Sequence, residues 1–183
     1  MAVDGQTVNL PNSITIARIA LAPLFVYLLL ISPDANSWQH WLATFVFVLA
    51  ISTDGVDGAV ARRTDKVTNL GKILDPIADK ALLGSALLTL SYLGEIDWWI
   101  TILILAREVA VTIYRVIVVK KNVIPATLAG KLKTILQGVA IGAVLAPFEI
   151  WVFAWSFVEE GLLYLALAST LVSGVQFFLA ARK

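Results

Sequence analysis

Six stretches of this chain are apolar over nearly the length that a lipid bilayer demands: Ile14–Ile31, Trp38–Val60, Ile73–Leu93, Trp98–Val119, Thr134–Phe148 and Gly161–Ala181. A helix needs roughly 20 mostly apolar residues to cross ~30 Å of hydrocarbon. Lipid offers no partner to backbone N–H and C=O groups, so helices, which pair them internally, are the expected spanning element. The predicted architecture is therefore all-α, a bundle of six transmembrane helices, with residues 1–183 forming one domain. The chain is 59% hydrophobic with a mean hydropathy of +0.85. A soluble domain of this size has too little interior to hide that much apolar sequence. Pro33, Gly94, Pro125 and Pro147 punctuate the connections. Pro23 and Pro76 fall inside spans and are expected to kink them.

The basic residues set an orientation. The connections after the first, third and fifth spans hold Asp34, Glu95, Asp97, Glu149, Glu159 and Glu160 but no Lys or Arg. The other side holds Arg62, Arg63, Lys66, Lys72, Lys120, Lys121, Lys131, Lys133, Arg182 and Lys183. The positive-inside tendency then places both termini in the cytoplasm, in a multi-pass protein of the inner (cytoplasmic) membrane. Trp38, Trp41, Trp98, Trp99, Trp151 and Trp155 all fall at the opposite ends of the spans, where an aromatic belt belongs. The lone histidine, His40, lies in that belt and reads as an interfacial side chain. The first residues carry Asp4 and no Lys or Arg, unlike a secretory leader, so the N-terminal span is expected to be retained.

Composition also narrows the chemistry. There is no cysteine, which excludes disulfides, thiolate metal sites and cysteine nucleophiles. The net charge of +1 gives no basic field of the kind that binds nucleic acid. What remains is a carboxylate constellation. Asp54 and Asp57 stand i, i+3 at the inner end of the second span, and Asp75 and Asp79 stand i, i+4 at the inner start of the third. Each spacing puts a pair on one helix face. The short linker makes the two helices antiparallel neighbours, so four carboxylates can converge at one depth.

Four unpaired carboxylates would repel one another, and ionisable groups at membrane depth are costly and usually functional. Divalent cations remove the repulsion. Oxygen ligands without Cys or His suit Mg²⁺, or Mn²⁺ in its place. Four carboxylates can hold two such ions with shared ligands, an arrangement used in phosphoryl chemistry. Gly55, Gly58 and Ala61 on the same helix leave room for a nucleotide close to the backbone. A plain salt-bridge network with Arg62, Arg63 and Lys80 is the alternative, and it gives the interleaved glycines no role.

The stretch Asp54-Gly-Val-Asp57-Gly58-Ala-Val-Ala61-Arg62, then eight residues, then Gly71, Asp75 and Asp79, resembles the signature of the CDP-alcohol phosphatidyltransferases. The resemblance implies a membrane-embedded catalytic domain of six helices, a homodimer, and an active site open to the cytosol. It implies that Asp54, Asp57, Asp75 and Asp79 bind two metal ions and that Asp79 also acts as general base. It further implies that Asp57, Gly58, Ala61, Arg62 and Gly71 lie near the CDP moiety of a CDP-diacylglycerol donor.

The acceptor rests on other residues. Arg107-Glu108 lies deep in the fourth span, with Arg115 eight residues on, and the fifth span opens Gly130-Lys131-Leu-Lys133-Thr134 before Gln137. Arg107, Arg115, Lys131 and Lys133 could surround a phosphate-bearing acceptor, Arg through its planar fork and Lys as a point charge. For the two lysines, anchoring at the cytosolic interface is the competing reading. Together with Pro11-Asn12, Thr15 and Arg18, these elements resemble the branch of the family whose acceptor is glycerol 3-phosphate. The branch that uses inositol phosphate is the close rival, since its acceptor also carries a phosphate. Prenyltransfer would need two separate aspartate-rich repeats in place of this one continuous signature. A divalent-cation transporter would need polar residues leading to both faces, but the outer halves of these spans are almost wholly apolar.

Overall fold

The computed structural model describes residues 10–63, 69–118, 128–148 and 154–181; within them only the backbone is described at 10–15, 54–63, 69–79, 115–118, 128–129 and 181. All regular structure among the described residues is helical: α1 (Leu10–Leu30), α2 (Trp38–Arg63), α3 (Asn69–Leu93), α4 (Trp98–Val118), α5 (Leu128–Leu145) and α6 (Trp155–Ala181). The chain divides into two compact units, with the boundary inside α3 between Thr89 and Leu90.

In the first unit, α1 packs against α2. The turn between them organises itself. Asp34 Oδ1 accepts the Asn36 N–H at 2.9 Å, and Ser32 Oγ donates to the Asp34 carbonyl at 2.8 Å. Ser37 then caps α2, its Oγ accepting the His40 N–H at 3.3 Å. His40 is half-buried beside this cap. The two helices approach closely because alanines face the seam: Ala22, Ala43 and Ala50 are buried. Phe25 and Phe47 fill the space between them with ring centroids 5.6 Å apart.

In the second unit, α3 ends at Gly94, whose φ of 87° is open to glycine without strain. The Glu95 N–H reaches the Leu90 carbonyl at 2.9 Å and the Gly94 N–H the Ser91 carbonyl at 3.2 Å, the paired bonds of a Schellman stop. The chain re-enters helix three residues later, so Ser91 and Thr101 meet in a buried hydroxyl pair at 2.7 Å. α5 stops at Leu145 because Pro147 disfavours helical backbone at the residue before it. The Trp155 indole N–H donates to the Ala143 carbonyl at 3.1 Å, and the Phe148 ring meets the indole edge-on at 5.0 Å. These contacts tie the start of α6 to the end of α5, and the two helices share a core of Ala140, Ile141, Leu145, Leu163, Ala166 and Leu167.

Four helices begin earlier than the apolar runs predict: α1 starts at Leu10 where its run starts at Ile14. α3 starts at Asn69 where the run starts at Ile73, α5 at Leu128 where it starts at Thr134, and α6 at Trp155 where it starts at Gly161. Hydropathy marks the part that needs hydrocarbon, whereas a helix continues through polar residues as long as its backbone pairs. As a result Lys131 and Lys133 sit inside α5, and Glu159 and Glu160 sit inside α6. Among the described residues, α6 meets the length and hydropathy needed to cross a membrane over Trp155–Ala180, with shorter apolar helical stretches at Ile16–Leu30 and Lys80–Leu93. Large apolar side chains lie on the outside of several helices, among them Tyr27, Phe45, Tyr92, Ile135 and Phe157.

Candidate active site

Asp54 and Asp57 lie on the final turns of α2, and Asp75 and Asp79 on the first turns of α3. The backbone is helical at all four positions. At 3.6 residues per turn the first pair stands about 60° apart around its helix and the second about 40°. Each pair therefore keeps to one face of a continuous helix, as joint ligation of a cation requires. An all-oxygen donor set of this kind fits a hard divalent ion. The side chains of these aspartates, and of Arg62 and Arg115, lie outside the described residues, as does any detail at Gly58, Ala61 and Gly71.

The side chains of the second unit show a polar cluster inside an apolar setting. Arg107, near the middle of α4, reaches to α6. Its Nη2 donates to Ser173 Oγ at 2.9 Å, and its Nη1 donates to Glu108 Oε1 at 3.0 Å. The same Glu108 oxygen accepts from the Lys133 ammonium of α5 at 2.5 Å. Only 12% of the Arg107 side chain, 15% of Glu108 and 7% of Lys133 is exposed. One carboxylate thus serves two buried cations. The Arg107 Nε is buried and has no hydrogen-bond partner among the described residues.

Below Lys133, one turn along α5, Gln137 donates from Nε2 to Thr170 Oγ1 of α6 at 2.8 Å. Gln137 and Thr170 are both buried. Between α4 and α6 lies an apolar groove of about 550 Å³, with Arg107, Ala106 and Ala110 on one wall and Gly174, Val175 and Phe178 on the other.

The cationic residues expected around an acceptor are thus brought together in part. Arg107 and Lys133 share Glu108. Lys131 stands about 160° round α5 from Lys133 and is exposed. Two contributors went unnoticed in the sequence, Ser173 and Gly174. The signal was present: Ser169-Thr170 and Ser173-Gly174 form a polar, small-residue patch in an otherwise apolar span, and such residues face neighbouring helices. Arg18, in α1, is 2% exposed, another cation in an apolar helix.

The family model of the CDP-alcohol phosphatidyltransferases matches residues 8–173, which takes in both the aspartate helices and the cationic cluster. The chain belongs to the CDP-alcohol phosphatidyltransferase family. Among curated relatives, a probable phosphatidylglycerophosphate synthase of Mycobacterium tuberculosis (strain ATCC 25618 / H37Rv) is 42% identical over 149 residues, 81% of this chain and 71% of the relative. The CDP-diacylglycerol–glycerol-3-phosphate 3-phosphatidyltransferase of Bacillus subtilis (strain 168) is 38% identical over 183 residues, covering 93% of each chain. The protein of the same name from Rickettsia bellii (strain RML369-C) is 40% identical over 178 residues, 96% of each.

Proposed function

We propose that this chain transfers the phosphatidyl group of CDP-diacylglycerol to glycerol 3-phosphate, giving phosphatidylglycerol phosphate and CMP, in phospholipid biosynthesis. Family membership supports the reaction type, and the names of relatives aligned over most of the chain support the acceptor. The observation that carries the acceptor is the Arg107–Glu108–Lys133 cluster, in which two buried cations share one carboxylate. Ionisable groups in an apolar setting are costly and usually functional. Arg107, Arg115 and Lys133 would hold the phosphate monoester of the acceptor, Arg through its fork and Lys as a point charge, with exposed Lys131 adding to the attractive field.

On this reading the protein spans the inner membrane six times, with both termini and the active site on the cytosolic side, as a homodimer. Its exposed apolar side chains support lipid contact. Asp54, Asp57, Asp75 and Asp79 would hold two Mg²⁺ or Mn²⁺ ions, while Gly58, Ala61, Arg62 and Gly71 accommodate CDP. The metals, when bound, neutralise the pyrophosphate and stabilise the departing CMP. Asp79 takes the proton of the acceptor's primary hydroxyl. That oxygen bonds to the phosphorus bearing diacylglycerol, and the phosphorus–oxygen bond to CMP breaks.

An acceptor panel tests the proposal. Purified protein would receive CDP-diacylglycerol and Mg²⁺ with glycerol 3-phosphate, inositol phosphate, serine or glycerol in turn, and CMP release would be measured. Glycerol 3-phosphate should be used fastest and free glycerol poorly. Faster use of inositol phosphate would move the chain to the rival branch of the same family. Metal flux into liposomes without CMP release would replace the enzyme with a transporter.

A further inference from the structure

The Arg107 guanidinium is held at both ends of its fork, and its route to that position passes over a residue with no side chain. A Cβ built on Gly174 would lie 3.1 Å from Arg107 Cγ, 3.2 Å from Nε and 3.8 Å from Cδ. Cγ is too near the α4 backbone to swing clear without a change of rotamer. A methyl group at 174 therefore pushes the whole arginine stem, not only its tip. Beside it, Ser173 Oγ donates its proton to the Thr170 carbonyl at 3.0 Å. The hydroxyl is thereby fixed with a lone pair towards Arg107 Nη2. At the other end Glu108, itself engaged by Lys133, fixes Nη1.

We propose that Ser173, Gly174 and Glu108 are positioning residues that set the plane and rotamer of the Arg107 guanidinium for the phosphate of the acceptor. This rests on the acceptor reading given above. Gly174 provides the passage and Ser173 the anchor on α6, while Glu108 supplies the opposing anchor. A planar fork binds phosphate through two parallel bonds only if its plane is set beforehand. A guanidinium free to rotate would still attract the anion, but would bind it more weakly and in several poses.

The test uses the full-length protein with both substrates varied separately. Ser173→Ala and Gly174→Ala should each raise the KM for glycerol 3-phosphate about tenfold, the worth of one charge-assisted hydrogen bond. The KM for CDP-diacylglycerol should stay within about twofold, and Ser173→Thr should restore the wild-type value. Added to Arg107→Lys, which already lacks the fork, Ser173→Ala should cost nothing further. Should Gly174→Ala fail to fold, the Ser173 pair of variants and the double-mutant cycle carry the test. Unchanged acceptor KM, parallel loss for both substrates, or full additivity with Arg107→Lys overturns the positioning role. If the wild type ignores glycerol 3-phosphate but uses another phosphorylated acceptor, the acceptor reading fails and the same variants are measured on that acceptor. An acceptor without a phosphate overturns both.

Discussion

The α1–α2 pair and the α4–α6 pair are both helix pairs from an apolar sequence, but different forces join them. Between α1 and α2 the seam holds buried alanines and the tilted Phe25–Phe47 rings. Between α4 and α6 an arginine crosses to a serine over a glycine. In lipid, apolar side chains gain little by leaving one apolar neighbour for another, so these alanines and rings join by close packing. The second pair is also bridged by a buried ion, Arg107, whose burial is costly unless it serves something. The contrast separates residues kept for shape from residues kept for charge.

The largest effect should come from the carboxylates, where charge is everything. Asp54→Asn and Asp75→Asn keep the size of the side chain and lose the charge that attracts a divalent ion. Each should nearly abolish CMP release, and excess chelator should do the same to the wild type. Turnover that persists in chelator would remove the metals from the proposal. Asp79→Asn comes next. A general base contributes roughly 10²–10⁴-fold, so turnover should fall by that order while binding of CDP-diacylglycerol weakens far less. Parallel loss of both would make Asp79 a ligand and nothing more.

Two lysines on one helix sharpen the comparison further. Lys133 is buried against Glu108 and Lys131 is exposed. Lys133→Ala should raise the acceptor KM by about tenfold, the scale of one charged hydrogen bond. Lys131→Ala should change it by no more than about twofold, since solvent screens an exposed charge. Equal effects would mean that both act through a general field. Phe47→Ala should leave both KM values unchanged and act on stability alone. Its ring is fully buried, but lipid removes most of the transfer term, leaving about 1–3 kcal/mol of lost packing. Thermal unfolding in detergent would register it; a changed KM would tie the α1–α2 seam to the site.

Much of this was legible in the residues themselves. Hydropathy has a length scale set by the bilayer, so six helices and their order could be read directly. The aspartate signature could be read because ligation needs particular residue types at particular spacings, and spacing is a property of sequence. Helix starts were less visible, because a helix does not end where hydrocarbon does: α5 and α6 each begin six residues before their apolar runs. The roles within the cationic cluster were hidden for another reason. Lys131 and Lys133 look equivalent in a string of letters, yet a two-residue step carries them to opposite faces of α5, and only the packing of α5 decided which is buried. Ser173 and Gly174 lie 66 and 67 residues from the arginine they hold. Sequence determined which carboxylates and cations this protein carries and at what spacing. The tertiary structure decided which of the cations share a carboxylate, because distance between helices is set by side-chain volume and not by order along the chain.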